Sequence, residues 1–280
     1  MPSARSNTSR RSRTSGIDRT IEIIDHMVRY GAQSTAAELA RALDAPTSTI
    51  YKIVEELTEH GLLIRDGSGG AALGPRLMYF GLAYQDSMPF IGVANKVMRT
   101  LSAEIGESVQ LCGRDDNMMV VIAMVEGPGS FVVSSRVGSR VPLNWTASGR
   151  LLTGHLPDGA RRALYARACL PSPTGRAETD PVVLAAESRL ALERRCSIQL
   201  GVSDYALACI AAPLVNPAGE CVAAISIVLP ERRAMRNSKR YIEAVQVAAR
   251  EIEGTVGWSS VDLQKAASGR LRKRRCSAND

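Results

Sequence analysis

Between Ser34 and Gly74 the chain reads STAAELARALDAPTSTIYKIVEELTEHGLLIRDGSGGAALG, and few folds accept that order of signals. Thr35 and Glu38 have the spacing of a capping box, in which two otherwise orphaned helix-start donors are satisfied reciprocally. Leu39 and Leu43 then fall one turn apart. Ala45-Pro46 breaks the helix, and Pro46 suits the first turn of the next one, where a missing N–H costs nothing. From there Ile50, Ile53, Val54 and Leu57 recur at helical spacing and predict an inward face. Thr47, Ser48, Tyr51, Lys52 and Glu55 fall on the outward face, close to a helix start that also attracts phosphate. His60-Gly61 ends the helix, and two short apolar runs, 62–64 and 71–73, flank Asp66-Gly67-Ser68-Gly69-Gly70 as strand, turn and strand. Any one segment reads equally as part of a small helical hairpin with solvated polar faces. The ordered series predicts a winged helix-turn-helix, a unit that lays one helix in the DNA major groove.

Charge complicates that expectation. The chain carries a formal +7, but residues 1–16 hold four arginines and no acid, and residues 262–280 hold six bases against two acids. Residues 17–74 hold five bases against nine acids, so the segment expected to meet phosphate is itself acidic. Its affinity must then rest on a few placed residues. Each basic end reads either as a phosphate-seeking arm or as a solubilising tail.

At 280 residues there is room for two domains. No apolar run is long enough for a membrane span, and the N-terminus lacks the apolar stretch of a secretory signal. Six cysteines without CxxC spacing suggest reduced thiols and a cytoplasmic setting. His26, His60 and His155 lie singly and form no metal set, and no cofactor-binding or nucleophile motif is present, so neither metal nor cofactor is expected.

Along the chain, Ile17, Ile21, Ile24 and Val28 form one stripe of a support helix over 17–30. A connecting helix is predicted over 75–85, with Leu77, Phe80 and Tyr84 on one side. The second region opens with a helix over 94–105 and strands over 108–112, 118–125 and 131–137. Helices follow over 146–155, 158–169 and 181–194, the last with Leu184, Leu190 and Leu192 apolar. Strands over 207–215 and 221–229 are joined at Asn216-Pro217-Ala218-Gly219, before a last helix over 239–254. The expected domains are a basic arm (1–16), the winged unit (17–74), a linker helix (75–87), an α+β domain with a mainly antiparallel sheet (88–258) and a basic tail (259–280).

Taken together, IDRTIEII, TSTIYKIVEELTEHGLL, LGPRLMYFG, VGSRVPLNWTASGRLL and CIAAPLVNPAGECVAAISIVLP resemble the IclR family of bacterial transcriptional regulators, over residues 17–258. The resemblance implies an N-terminal winged helix-turn-helix, a linker helix and a C-terminal GAF-like effector domain. It also implies dimers or tetramers on double-stranded operator DNA, and no enzymatic activity. It puts DNA contacts on Thr47, Ser48, Thr49, Tyr51 and Lys52. A small-molecule effector would meet Leu143, Asn144, Trp145, Thr146, Ala147, Gly149, Asp204, Cys209 and Ser226. Where such proteins carry a second serine after Ser226, this chain has Val228, and Arg150 replaces a common lysine. These departures point away from a two-carbon oxoacid and towards a larger organic or aromatic acid.

Several of these residues have more than one reading from sequence. Cys209 is a buried small hydrophobe, a wall of the binding site or a reactive thiol. Asp204 accepts from a ligand hydroxyl, fixes its loop or is a solvated loop acid. Trp145 either offers its N–H to a ligand or packs. Arg136 and Arg140 either hold a ligand carboxylate or sit solvated at strand ends. The competing function is a small-molecule or thiol-dependent enzyme, with Cys112 or Cys209 as nucleophile and an accessory helix-turn-helix.

Overall fold

The computed structural model describes residues 15–30, 33–65, 67, 69–86, 88, 90–128 and 135–258. The chain divides into two compact units, Met1–Ser87 and Met88–Asp280.

The first unit contains α1 (Gly16–Tyr30), α2 (Ala36–Ala42), α3 (Thr47–Glu59), β1 (Leu63–Arg65), β2 (Ala71–Leu73) and α4 (Pro75–Asp86). Thr35 and Glu38 close the capping box at the start of α2. Pro46 is the N-cap of α3 rather than a residue of its first turn, and it offers no side-chain bond to that turn. Between the two helices Asp44 adopts a left-handed backbone (φ 45), which a short polar side chain tolerates. Gly61 (φ 69) reverses the chain after α3. β1 and β2 pair antiparallel from Leu63 opposite Leu73 to Arg65 opposite Ala71, and Ser34 bridges to Ala71 beside them. The wing's base is therefore tied to the entry of α2.

The core of this unit is Ile23, Met27, Leu39, Ile50, Ile53, Val54, Leu57 and Leu63. In α1 the buried residues are Ile23 and Met27, not the expected stripe. Ile17, Ile21 and Val28 are exposed. The cause is a polar anchor: the Arg19 guanidinium donates to the Leu43 carbonyl at 3.0 Å, and Arg19, Ile23 and Met27 follow one another at i, i+4. A helix with apolar residues on two faces is oriented by the face that also satisfies that carbonyl. In α4, Phe80 and Tyr84 are exposed, as are Met78, Tyr79 and Leu82.

The second unit is a six-stranded antiparallel sheet with helices on both faces. Its elements are α5 (Phe90–Ile105), β3 (Ser108–Asp115), β4 (Met118–Val125), β5 (Arg140–Pro142), a 3-10 turn at Leu143–Trp145, α6 (Ala147–Gly154), α7 (Asp158–Ala168) and α8 (Pro181–Glu193). They continue with β6 (Ser197–Leu200), β7 (Leu207–Val215), β8 (Cys221–Pro230), α9 (Glu231–Arg236) and α10 (Ser238–Thr255). The strand order is β5-β4-β3-β8-β7-β6. Strand alternation sorts the side chains. Val109, Leu111, Ile210, Leu214, Ile225, Ile227 and Leu229 meet α5 and α10 in one continuous apolar layer. The other face sends Cys112, Val121, Ala211 and Ala224 against α6, α7 and α8, with Leu151, Leu164, Tyr165 and Leu184.

Three short elements, β5, β6 and α9, escape the sequence pattern, each too short to show a period. The strand expected over 131–137 falls largely outside the described residues, and 135–137 form no strand. In α8 the buried residues are Leu184, Ala185, Ser188 and Ala191, while Leu190 is exposed. The reason is close helix packing, because Gly154 of α6 lies against the Ser188 carbonyl and small residues are needed along that seam.

Candidate functional site

The outward face of α3 is assembled by its own periodicity. With Ile50, Ile53, Val54 and Leu57 buried, Thr47, Ser48, Thr49, Tyr51 and Lys52 are all exposed, as is Glu55. Tyr51 presents 54% of its surface to solvent, which leaves both ring and hydroxyl available. Lys52 lies 3.9 Å from Glu56, an exposed pair that holds the ammonium only weakly. Pro46 supplies no side-chain cap, and while the Thr49 N–H bonds the Pro46 carbonyl at 3.0 Å, the N–H groups of Thr47 and Ser48 have no capping side chain. Hydroxyls, a phenol and an ammonium beside an open helix start are suited to phosphate oxygens and base edges.

The second site is a cavity of about 100 Å3 in the sheet unit. Its floor is formed by the sheet: Gln110 and Cys112 of β3, Ser226 and Val228 of β8, Leu207 and Cys209 of β7. Register brings these together, with Gln110 opposite Ser226 and Cys209 opposite Val228. Thr146, Ala147 and Ser148 at the start of α6 form the roof. Met119, Val141, Ser135 and Ser203 close the sides.

The roof is built tightly. Thr146 Oγ1 accepts the Gly149 N–H at 2.9 Å, capping α6. Gly149 itself sits against the backbone of Leu143, where a Cβ would collide with the carbonyl. On the floor the Gln110 amide donates to Ser135 Oγ at 2.8 Å. With its amide oxygen turned to the loop, Gln199 accepts the N–H groups of Val202 at 2.6 Å and Ser203 at 3.2 Å, which holds Ser203 at the cavity edge.

Of the nine expected effector residues, Thr146, Ala147, Cys209 and Ser226 line this cavity. The other five do not, each for an identifiable reason. Leu143 is in the core below α6. Asn144 spends its amide on the carbonyls of Leu170 (2.9 Å) and Glu178 (2.8 Å). Trp145 donates its indole N–H to Leu170 at 2.8 Å, so it stitches the 3-10 turn to the loop after α7. Gly149 permits close packing rather than contact with the cavity. Asp204 is exposed and accepts the Ala206 N–H at 2.8 Å, fixing its own loop. Arg140 pairs with Asp115, and Arg136 is exposed. No charged side chain is among the described residues lining the cavity. Gln110, Ser148 and Ser203 are lining residues that the sequence does not reveal, because their position depends on strand register and on a loop held by Gln199.

Burial pushes the Cys112 thiol up to about 11 and the Cys209 thiol up to about 12. Both are protonated at neutral pH, so a thiol-dependent chemistry at this site lacks its thiolate. Among the described residues no group of His, Cys, Asp and Glu is placed to hold a metal ion, and no helix is long and apolar enough to cross a membrane.

Known proteins share this arrangement. Residues 16–67 match the IclR helix-turn-helix domain, and residues 82–254 match the C-terminal domain of the bacterial transcriptional regulator IclR. The HTH-type transcriptional regulator KipR of Bacillus subtilis is 29% identical over 226 residues, 80% of this chain and 90% of KipR. The HTH-type transcriptional repressor AllR of Escherichia coli K12 is 26% identical over 245 residues, 86% of this chain and 90% of AllR. Among solved structures, an IclR homolog from Microbacterium hydrocarbonoxydans, complexed with 4-hydroxybenzoate, superposes with a TM-score of 0.76 at 23% identity, covering 90% of this chain and 100% of that one. The IclR of Thermotoga maritima gives 0.70 at 24% identity, covering 86% and 98%. The chain therefore belongs to the IclR family of bacterial transcriptional regulators, a helix-turn-helix DNA-binding domain followed by an effector-binding domain.

Proposed function

We propose that this regulator reads operator DNA with Thr47, Ser48, Thr49, Tyr51 and Lys52, and that a small organic acid, aromatic acids included, sets its operator affinity from the cavity between the sheet and α6. The observation that carries the effector assignment is the cavity's division into a polar roof and an apolar flank. Thr146 and Ser148 at the start of α6 line the space, with Ser226 and Gln110 opposite, while Val141, Val228, Leu207 and Met119 flank it. A helix start favours an anion without any cationic side chain.

The size supports a small ligand. At about 100 Å3 the cavity is below the roughly 150 Å3 that accommodates benzene in an engineered apolar cavity. A ring acid would therefore need one flexible side chain, Met119 being the natural candidate, to swing aside. That the relative from Microbacterium hydrocarbonoxydans is complexed with 4-hydroxybenzoate supports the same class of ligand. Reading two half-sites requires a second copy of the chain, in a dimer or tetramer. The acid can shift operator binding only through its different affinity for the DNA-competent and DNA-incompetent states.

The test is fluorescence anisotropy of the full chain on duplex DNA from upstream of its own gene, with and without benzoate and 4-hydroxybenzoate. The expected result is a change in operator Kd of at least about fivefold, typical of allosteric coupling, that Ser226→Leu abolishes without loss of DNA binding. A response to neutral analogues alone would overturn the acid assignment.

A further inference from the structure

We propose that the cleft between α9 and the start of α10, lined by Arg232, Arg233, Arg236, Asn237 and Tyr241, binds a small phosphate- or diphosphate-bearing anion. This cleft is separate from the proposed effector cavity. Its volume is about 300 Å3, which falls at the lower end of the range for small-molecule sites.

The charge balance of the cleft gives the ligand its sign. Arg233 donates to Glu107 at 2.9 Å, and Glu107 is buried and also accepts from the Tyr241 hydroxyl at 3.3 Å. Arg232 and Arg236 meet no carboxylate and no other acceptor among the described residues. Three guanidiniums against one carboxylate leave two positive charges in one concave space. Arg232 and Arg236 are also one turn apart on α9, so the pair carries a like-charge repulsion that a bound anion would relieve.

The hydrogen-bonding geometry narrows the class further. Guanidinium forks match carboxylate and phosphate oxygens bidentately, and two uncompensated positive charges in one cleft favour a group that carries more than one negative charge, as phosphate does and a single carboxylate does not. Asn237 makes no side-chain bond to the helix that follows it, so its amide is available to a ligand. The anchoring is firm: Ala234, between Arg233 and Arg236, and Tyr241 beyond them are buried in the apolar layer shared with α5 and α10. That layer is on the face of the sheet opposite the effector cavity, so the two ligands would not compete for space.

Isothermal titration of the full chain with inorganic pyrophosphate, at ionic strength held constant with sodium chloride, tests the assignment. Saturable binding is expected, weakened at least about tenfold by Arg232→Ala/Arg236→Ala, as loss of charge-assisted bonds predicts. Both side chains are exposed, and an unchanged melting temperature would verify folding. Arg272→Ala/Arg274→Ala in the basic tail should leave binding intact. Absence of saturable binding, or equal binding by the Arg232/Arg236 variant, would overturn the proposal. So would unaltered pyrophosphate binding in that variant together with an operator salt slope reduced by roughly two, because the arginines would then be serving DNA phosphates.

Discussion

Each unit of this molecule exposes a helix start to its expected ligand, but under opposite conditions. The first turn of α3 follows an uncapped Pro46 and stands in solvent, with Thr47, Ser48 and Thr49 all exposed. The first turn of α6 is capped by Thr146 and buried above strands β3, β7 and β8. The same backbone dipole therefore acts in open solvent at α3 and in a largely buried setting at α6, where screening is weaker and each polar group counts for more. The proposed DNA contacts at α3 come from one continuous segment and carry little of the fold. The lining at α6 is drawn from residues far apart in sequence and is inseparable from the core. The contrast predicts that substitutions at α3 cost binding alone, while those at α6 cost binding and stability together.

The strongest challenge to this contrast is Gly149→Ala. A Cβ there would collide with the Leu143 backbone, and the Gly149 N–H must stay within reach of Thr146. Neither partner is a flexible side-chain end, so the expected loss is about 3 kcal/mol, at the upper end for overpacking. Urea denaturation of the full chain measures it. An unshifted midpoint would mean that the roof of the cavity yields and the enclosure is not rigid.

The cavity's thiols sharpen the contrast through pH. Burial raises Cys112 to about 11 and Cys209 to about 12, against 9.0 for the ordinary thiol. The unfolded chain therefore ionises these groups first. Their contribution is fully present below pH 9 and is lost as pH climbs from 9 towards 11 and 12. Each thiol should remove about 1.4 kcal/mol per pH unit in that window. Cys209→Ala should flatten the stability curve above pH 9 by that amount and leave its slope unchanged around pH 7. An identical slope in wild type and variant would place Cys209 in contact with water.

At α3 the corresponding substitution is Lys52→Ala. Its only ion pair among the described residues is the exposed 3.9 Å contact with Glu56, so stability should change by less than about 0.5 kcal/mol. Operator affinity should fall more than about tenfold, roughly 1.4 kcal/mol, with a shallower salt dependence. Anisotropy and urea denaturation together separate the two effects. Unchanged affinity would remove Lys52 from the groove-facing set.

The same contrast explains which parts of the molecule are legible in its sequence. The capping box of Thr35 and Glu38, the break at Pro46 and the inward row from Ile50 to Leu57 are local signals, each settled within a turn or two of chain. The hairpin of β7 and β8 is equally legible, since its strands are long, apolar and joined by a short turn. The orientation of α1 is not, because it depends on Arg19 reaching the Leu43 carbonyl across 24 positions. Nor are Gln110 and Ser203 at the cavity: one requires the register of β3 against β8, the other a loop held by Gln199. The family resemblance puts Asn144 and Trp145 on the ligand, yet their polar groups are bonded to the loop after α7, which no local pattern announces.

The finest test uses two threonines that do the same job in the two units. Thr35 accepts the Glu38 N–H at 3.2 Å at the start of α2, and Thr146 accepts the Gly149 N–H at 2.9 Å at the start of α6. Replacing either with alanine should cost about 1 kcal/mol of stability, the usual value of a lost cap. Their functional consequences should diverge. Thr35→Ala removes a cap in the DNA-reading unit and should leave effector affinity unchanged. Thr146→Ala takes a hydroxyl from the cavity roof and frees a buried N–H beside the ligand, so effector affinity should change with stability. Titration of both variants with 4-hydroxybenzoate decides the matter. If Thr146→Ala loses stability but keeps its effector affinity, the cap only supports the roof, and the ligand is held by Ser148, Ser226 and the α6 backbone without it.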